Sequence, residues 1–226
     1  LSRGLGDVYK RQFEGFERSG ATLDEAGKEQ LRKLSTELSQ LTVQFSQNHL
    51  KETNAFTLHL TKEEQLKGLP ESQIEQAAQT AKEQQTDGWI ITLKAPSYIP
   101  FMTYADDREL RKQLYMAYNT QCTHDNAQNN FEIVKRIVNL RREVAQLLGY
   151  ASYADFALKN RMAEKPEHVY QLLNDLIKHY KAPAEKEMKA ISALSDEELK
   201  PWDFAYYSQK LKKKELVIQQ MKRCTY

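Results

Sequence analysis

Cysteine, proline and glycine are scarce in this 226-residue chain, at two, six and eight. Cys122 and Cys224 are too few for a disulfide framework, so a reducing compartment is the expectation. So little Gly and Pro, with 28% charged and 40% hydrophobic residues, describes a soluble, helix-rich protein. No apolar run approaches the roughly 20 residues of a membrane span. Charge of one sign is lacking too: 33 basic against 31 acidic residues leave a net +2. That balance gives no basic face for nucleic acid, and the short run Lys210 to Lys214 reads as a solvated helix face. No secretory leader is read in these residues, and because the chain opens on Leu1 rather than Met the true start is expected to lie upstream. A cytoplasmic location is the expectation, with the periplasm or envelope as the alternative.

The motifs of hydrolytic chemistry are absent as well. A zinc-peptidase helix carries two His four residues apart with Glu beside the first, which aims both imidazoles at one metal. The five histidines are His49, His59, His124, His168 and His179; no two are four apart and none is followed by Glu. His49 and Glu52 form one H-x-x-E, a chance-level pairing, and His168 after Glu167 suits a helix start. G-x-S-x-G does not occur, and Gly4 and Gly6 open no dinucleotide fingerprint because position 9 is Tyr. Cys122-Thr-His124 brings thiol and imidazole into a polar loop without a further ligand pair. Asp106-Asp107 and Glu197-Glu198 read as helix-start acids. Trp202, Phe204, Tyr206 and Tyr207 could wall a peptide groove, but helix packing explains them first. Catalytic, cofactor-binding and metal-binding residues are therefore expected to be none.

What is present is helical period. Residues 1–12, with two glycines and no helical period, are expected to be foreign or disordered. Over 13–50, Leu31, Leu34, Leu38, Leu41 and Phe45 recur at steps of three and four, predicting one long amphipathic helix from about Leu23 to Leu50. Residues 51–105 read as a small mixed α/β insert: AFTLHL alternates like a strand, and WIITLKAP after the Asp87-Gly88 turn is a second strand closed by Pro96. Two short helices split at Gly68 and Pro70 lie between them. Helices return over 106–213. RELRKQLYMAY is followed by a polar loop, then by FEIVKRIVNLRREVAQLLGY with Val134, Ile137, Val138, Val144, Ala145 and Leu148 on one side. Gly149 suits a left-handed C-cap, Ser152 with Asp155 a capping box, and Pro166 a first helical position. Val169, Leu172, Leu173, Leu176, Ile177 and Tyr180 predict a buried face for the next helix. PAEKEMKAIS and DFAYYSQKLKKK predict two more helices, and 214–226 reads as an aberrant tail.

From about Phe13 to Lys213 the chain resembles the thimet-oligopeptidase family of zinc metallopeptidases, nearest its bacterial peptidyl-dipeptidase (dipeptidyl carboxypeptidase) branch. The likeness is carried, in order, by FERSGATLDEAGKEQLRKLSTELSQLTVQFSQN, GLPESQIEQAA, TLKAPSYIPFMTYADDRELRKQLYMAY, EIVKRIVNLRREVAQLLGYASYADFALKNRMAEKPEHVYQLLNDL and LKPWDFAYYSQKLKK. The resemblance implies a mainly α fold, the helical lobe of a zincin-type oligopeptidase with a small β-containing insert. It implies Zn held by the two His of H-E-x-x-H and a later Glu, with the motif Glu as general base on metal-bound water. Its substrates would be short unfolded peptides, and its partner within the enzyme a C-terminal catalytic lobe. The catalytic region of the family is not in this sequence, so no ligand or base carries over to any residue. The expectation is a non-catalytic N-terminal or middle part of such an enzyme, with apolar faces after Pro166 left uncovered. The alternative is a stand-alone helical interaction module using the Leu31 to Phe45 stripe.

Overall fold

In the computed structural model, the backbone is described for residues 2–224 and the side chains for residue 6 and residues 8–216. The order is α1 (Ser2–Arg18), α2 (Glu25–Ala55), β1 (Thr57–Leu60), α3 (Glu71–Glu83), β2 (Trp89–Thr92), α4 (Ala95–Tyr104), α5 (Arg108–Asn119), α6 (Phe131–Leu147), α7 (Tyr153–Leu158), α8 (Pro166–Ser192) and α9 (Phe204–Cys224). Short 3₁₀ turns cover Glu63–Leu66 and Pro201–Asp203. The fold is mainly α with one two-stranded sheet. Two compact units are built from residues 1–48 with 129–176, and from 49–128 with 177–226.

In the first unit the predicted stripe is the packing face from Leu31 to Leu41, whereas its last member, Phe45, is 38% exposed. Leu34 is buried with Leu140 and Val144, and Leu31, Leu38, Leu41, Leu147 and Leu148 close around them. The buried face of α6 is narrower than its sequence suggests. Ile137, Leu140, Val144 and Ala145 are buried at helical spacing, whereas Val134 and Val138 fall outside that arc, at 42% and 59% exposed. Polar ties support the core: Arg136 grips Glu37 with Nε–Oε1 at 2.6 Å and Nη2–Oε2 at 2.7 Å. Asn48, on the same helix as the stripe, donates from Nδ2 to Asn130 Oδ1 at 2.9 Å, and both side chains are buried.

Helix α6 stops as its glycine predicts. Gly149 has φ +82, its N–H reaches Gln146 O at 3.0 Å, and Tyr150 N–H reaches Ala145 O at 2.9 Å. That double closure is the Schellman pattern, which needs a left-handed residue at this place. Ser152 then caps α7 by accepting from Asp155 N at 3.1 Å. The Asp155 carboxylate accepts from the Ser152 hydroxyl at 2.6 Å, in place of the backbone N–H of a full capping box.

In the second unit β1 and β2 pair antiparallel, Leu58 opposite Ile91 and Leu60 opposite Trp89. Gly88 (φ +86) turns the chain into β2, where a Cβ would lie 2.3 Å from Leu60 O. The inward residues Leu58, Leu60 and Ile91 join Leu66, Ala77, Leu93, Phe101, Met102, Ala105 and Leu114 in the larger core.

Several segments depart from expectation. Residues 2–12, in which no helical period is read, lie in α1; Tyr9, Phe13 and Phe16 recur at steps of four and three, and helix formers between the glycines carry the turns. SYIPFMTY, left without an element, is α4, with Pro100 inside it. PAEKEMKAIS is no separate helix: α8 runs unbroken through Pro183, which forgoes one N–H bond among strong helix formers. The apolar face of α8 lies uncovered, as expected of the faces after Pro166: Leu172, Ile177 and Tyr180 are 60%, 60% and 65% exposed. The tail from 214 continues α9 to Cys224, while the side chains of 217–226, Cys224 included, lie outside the described residues.

Candidate functional site

The densest polar constellation is built on the P-W-D segment. Asp107 caps α5, its Oδ1 accepting from Leu110 N at 3.0 Å, so the next turn presents Arg108 and Arg111 three residues apart on one face. Asp203, at the end of the Pro201–Asp203 turn, receives both. Arg108 donates from Nε at 3.1 Å to each Asp203 oxygen and from Nη2 at 2.8 Å, and Arg111 Nη2 donates at 2.9 Å. Lys200 N–H adds a bond at 3.1 Å.

Arg111 is completed by the carbonyls of Ala105, at 2.7 Å, Asp106 and Trp202, and its guanidinium lies 4.1 Å from the Tyr206 ring centroid. Tyr206 in turn donates its hydroxyl to Asp106 Oδ1 at 2.6 Å. Of the Asp106-Asp107 pair, then, only Asp107 caps. Glu197 and Glu198 lie in the loop before the turn rather than at a helix start; Glu197 pairs with Arg108 and Glu198 with Lys200.

Burial pushes the Asp203 carboxyl up, but bonds from Arg108, Lys200 N–H and Arg111 outweigh it and hold it below the usual carboxylate range. A carboxylate so occupied has no lone pair left to take a proton from water. Its chemistry is that of a clamp, fastening the α4–α5 junction to the start of α9.

The aromatic cluster divides. Trp202 meets Tyr115 edge-on at 6.1 Å and Tyr206 meets Tyr207 at 5.1 Å, whereas Phe204 is 49% exposed. The four do not wall one groove.

The sequence-predicted histidines and thiol lie apart. His49 is exposed on α2, and Glu52 turns instead to the polar loop, accepting from Cys122 N and, at 2.8 Å, from Asn126 Nδ2. Burial opposes ionisation of Glu52, and those bonds outweigh it. His124 Nε2 lies 3.3 Å from Thr120 Oγ1, His59 contacts Asp87 O, and His168 Nδ1 contacts Ala163 O at 2.7 Å. Cys122 is 5% exposed at φ +58, and burial together with the Glu52 carboxylate pushes its thiol up, away from nucleophilic character. Among the described residues no three His, Cys, Asp or Glu come together as a metal would require. These residues do not fit the zinc that the resemblance implies. Sequence reasoning missed Arg108 and Arg111; the signal available was their spacing beside a capping Asp.

Residues 101–226 match the family model described as Peptidase family M3. The chain is 38% identical over 206 residues to oligopeptidase A of Salmonella typhimurium, covering 87% of this chain and 30% of that relative. It is 30% identical over 204 residues to dipeptidyl carboxypeptidase of Escherichia coli, covering 88% and 30%. Saccharolysin of Saccharomyces cerevisiae is 28% identical over 225 residues, covering 93% and 30%. Identity is thus higher to this oligopeptidase A than to this dipeptidyl carboxypeptidase. The chain spans about 30% of the length of these relatives.

Proposed function

The chain belongs to peptidase family M3, and from that premise we propose that it is a non-catalytic portion of an enzyme that cleaves short oligopeptides. Its part is structural: a helical wall that admits unfolded peptides to a catalytic lobe and excludes folded ones. Removal of C-terminal dipeptides is one form this cleavage would take, after the dipeptidyl carboxypeptidase relatives; a broader oligopeptidase specificity is the other. Zinc would be bound outside these 226 residues, and the cytoplasm is the proposed location.

The observation that carries this reading is the 206-residue match, which takes in 87% of the chain but 30% of oligopeptidase A. The gene itself tests the reading. A frame continuing past codon 226 into H-E-x-x-H is expected; a stop followed by an unrelated gene would favour the stand-alone interaction module instead.

A further inference from the structure

Within the second unit a groove of about 630 Å³ runs beside α5. Ala55, the last residue of α2, Phe56 just after it, Leu93, and Met116 and Ala117 on α5 give it an apolar surface. Gln113, Gln121 and Gln128 bring carboxamides to the same lining. The wall is fixed before any ligand arrives. Gln121 Nε2 donates to Thr53 Oγ1 at 2.7 Å, and Glu52 holds the loop at Cys122 N and Asn126.

Glu52 and His124 are the ionisable groups of the lining, which contains no Lys or Arg. An anion such as a phosphate finds no fixed positive charge there, and the one carboxylate, Glu52, already accepts from Cys122 N and Asn126 Nδ2. What the surface complements is a neutral ligand with an apolar group to bury and amides for the glutamines to bond. The volume lies within the range of about 300–1,000 Å³ typical of ligand sites. We propose that this groove is a peptide-binding site, taking an apolar side chain against Phe56, Leu93 and Met116 and the flanking backbone amides against the glutamines. The choice of a peptide rests on the oligopeptide reading above.

Met116, 46% exposed in the groove, is a built-in reporter. The 226-residue chain carrying ¹³C-methyl methionine would be titrated with N-acetyl-Ala-Leu-Ala-amide and, separately, with N-acetyl-Ala-Asp-Ala-amide. A saturable shift of the Met116 methyl is expected with the leucine probe, with Met162 (101% exposed) unmoved. Apparent affinity should be at least about tenfold lower for the aspartate probe, as burial of a leucine side chain requires. Gln113→Trp, at an exposed position of α5, should remove the Met116 response while leaving the thermal melt in place. No Met116 shift, equal shifts from both probes, or a Met116 shift that follows protein concentration without probe (a second copy in the groove) would each overturn the site. None of these outcomes bears on whether the chain cleaves peptides, so the two readings fail separately.

Discussion

Arg111 Nη2 and Asp203 Oδ1 stand 2.9 Å apart, with both side chains about 1% exposed and 92 residues between them in the chain. An ion pair that dry is held by geometry, since removing both charges from water costs about as much as their attraction returns. Its importance shows when one partner is taken away. Asp203→Ala leaves Arg111 buried without a counter-charge and should cost about 3–5 kcal/mol of unfolding free energy. Urea titration of both proteins checks this; a loss below about 1 kcal/mol, ordinary for a surface pair, would contradict it.

The same carboxylate sets an acid response. Asp203 is held below the usual range in the folded protein, so the unfolded chain binds its proton more readily. Its contribution is therefore fully present above the unfolded carboxyl value of about 4 and disappears as pH falls through the lower folded value. Unfolding free energy measured at a series of pH values below about 5 should fall less steeply in Asp203→Asn than in the parent. Equal slopes would show that the clamp carries no part of the acid sensitivity.

Asn48 and Asn130 are a neutral counterpart in the other unit. Asn130 also donates to Phe45 O at 3.2 Å, so the amide pair ties two backbone regions as well as two side chains. Asn48→Leu strands the Asn130 side-chain oxygen, Oδ1, and should cost about 1–3 kcal/mol, the penalty for a buried polar group without its partner. Chemical denaturation measures it, and an unchanged midpoint would mean that water reaches Asn130.

The uncovered face of α8 predicts self-association. Changing Leu172, Ile177 and Tyr180 together to Lys removes three apolar side chains that are 60–65% exposed. Light scattering on warming should fall, with the melting temperature held to within a few degrees, because these side chains contribute little burial. A large drop in melting temperature would show that they pack in solution.

Much of this architecture was legible because local rules and tertiary needs agreed. The Leu31 to Leu41 stripe faces the core, the alternation in AFTLHL became β1, and Gly149 terminates α6 by the conformation only glycine adopts freely. Where several apolar residues competed for one face, sequence could not choose. Val134 and Val138 lose to Leu140 because α6 buries a narrow arc. Pro183 reads as the start of a new helix, yet α8 continues through it, as α4 does through Pro100, when the neighbours outweigh one lost hydrogen bond. The Arg108/Arg111–Asp203 clamp was invisible since its members lie more than 90 residues apart, and nothing local to either end announces the other.

The most direct measurement is hydrolysis of a quenched fluorogenic oligopeptide by the purified 226-residue chain supplied with equimolar zinc, with and without a chelator. Fluorescence is expected to stay at the buffer rate in both. Cleavage that rises in proportion to the chain and stops on chelation would contradict the assignment of this polypeptide to the non-catalytic part of the enzyme.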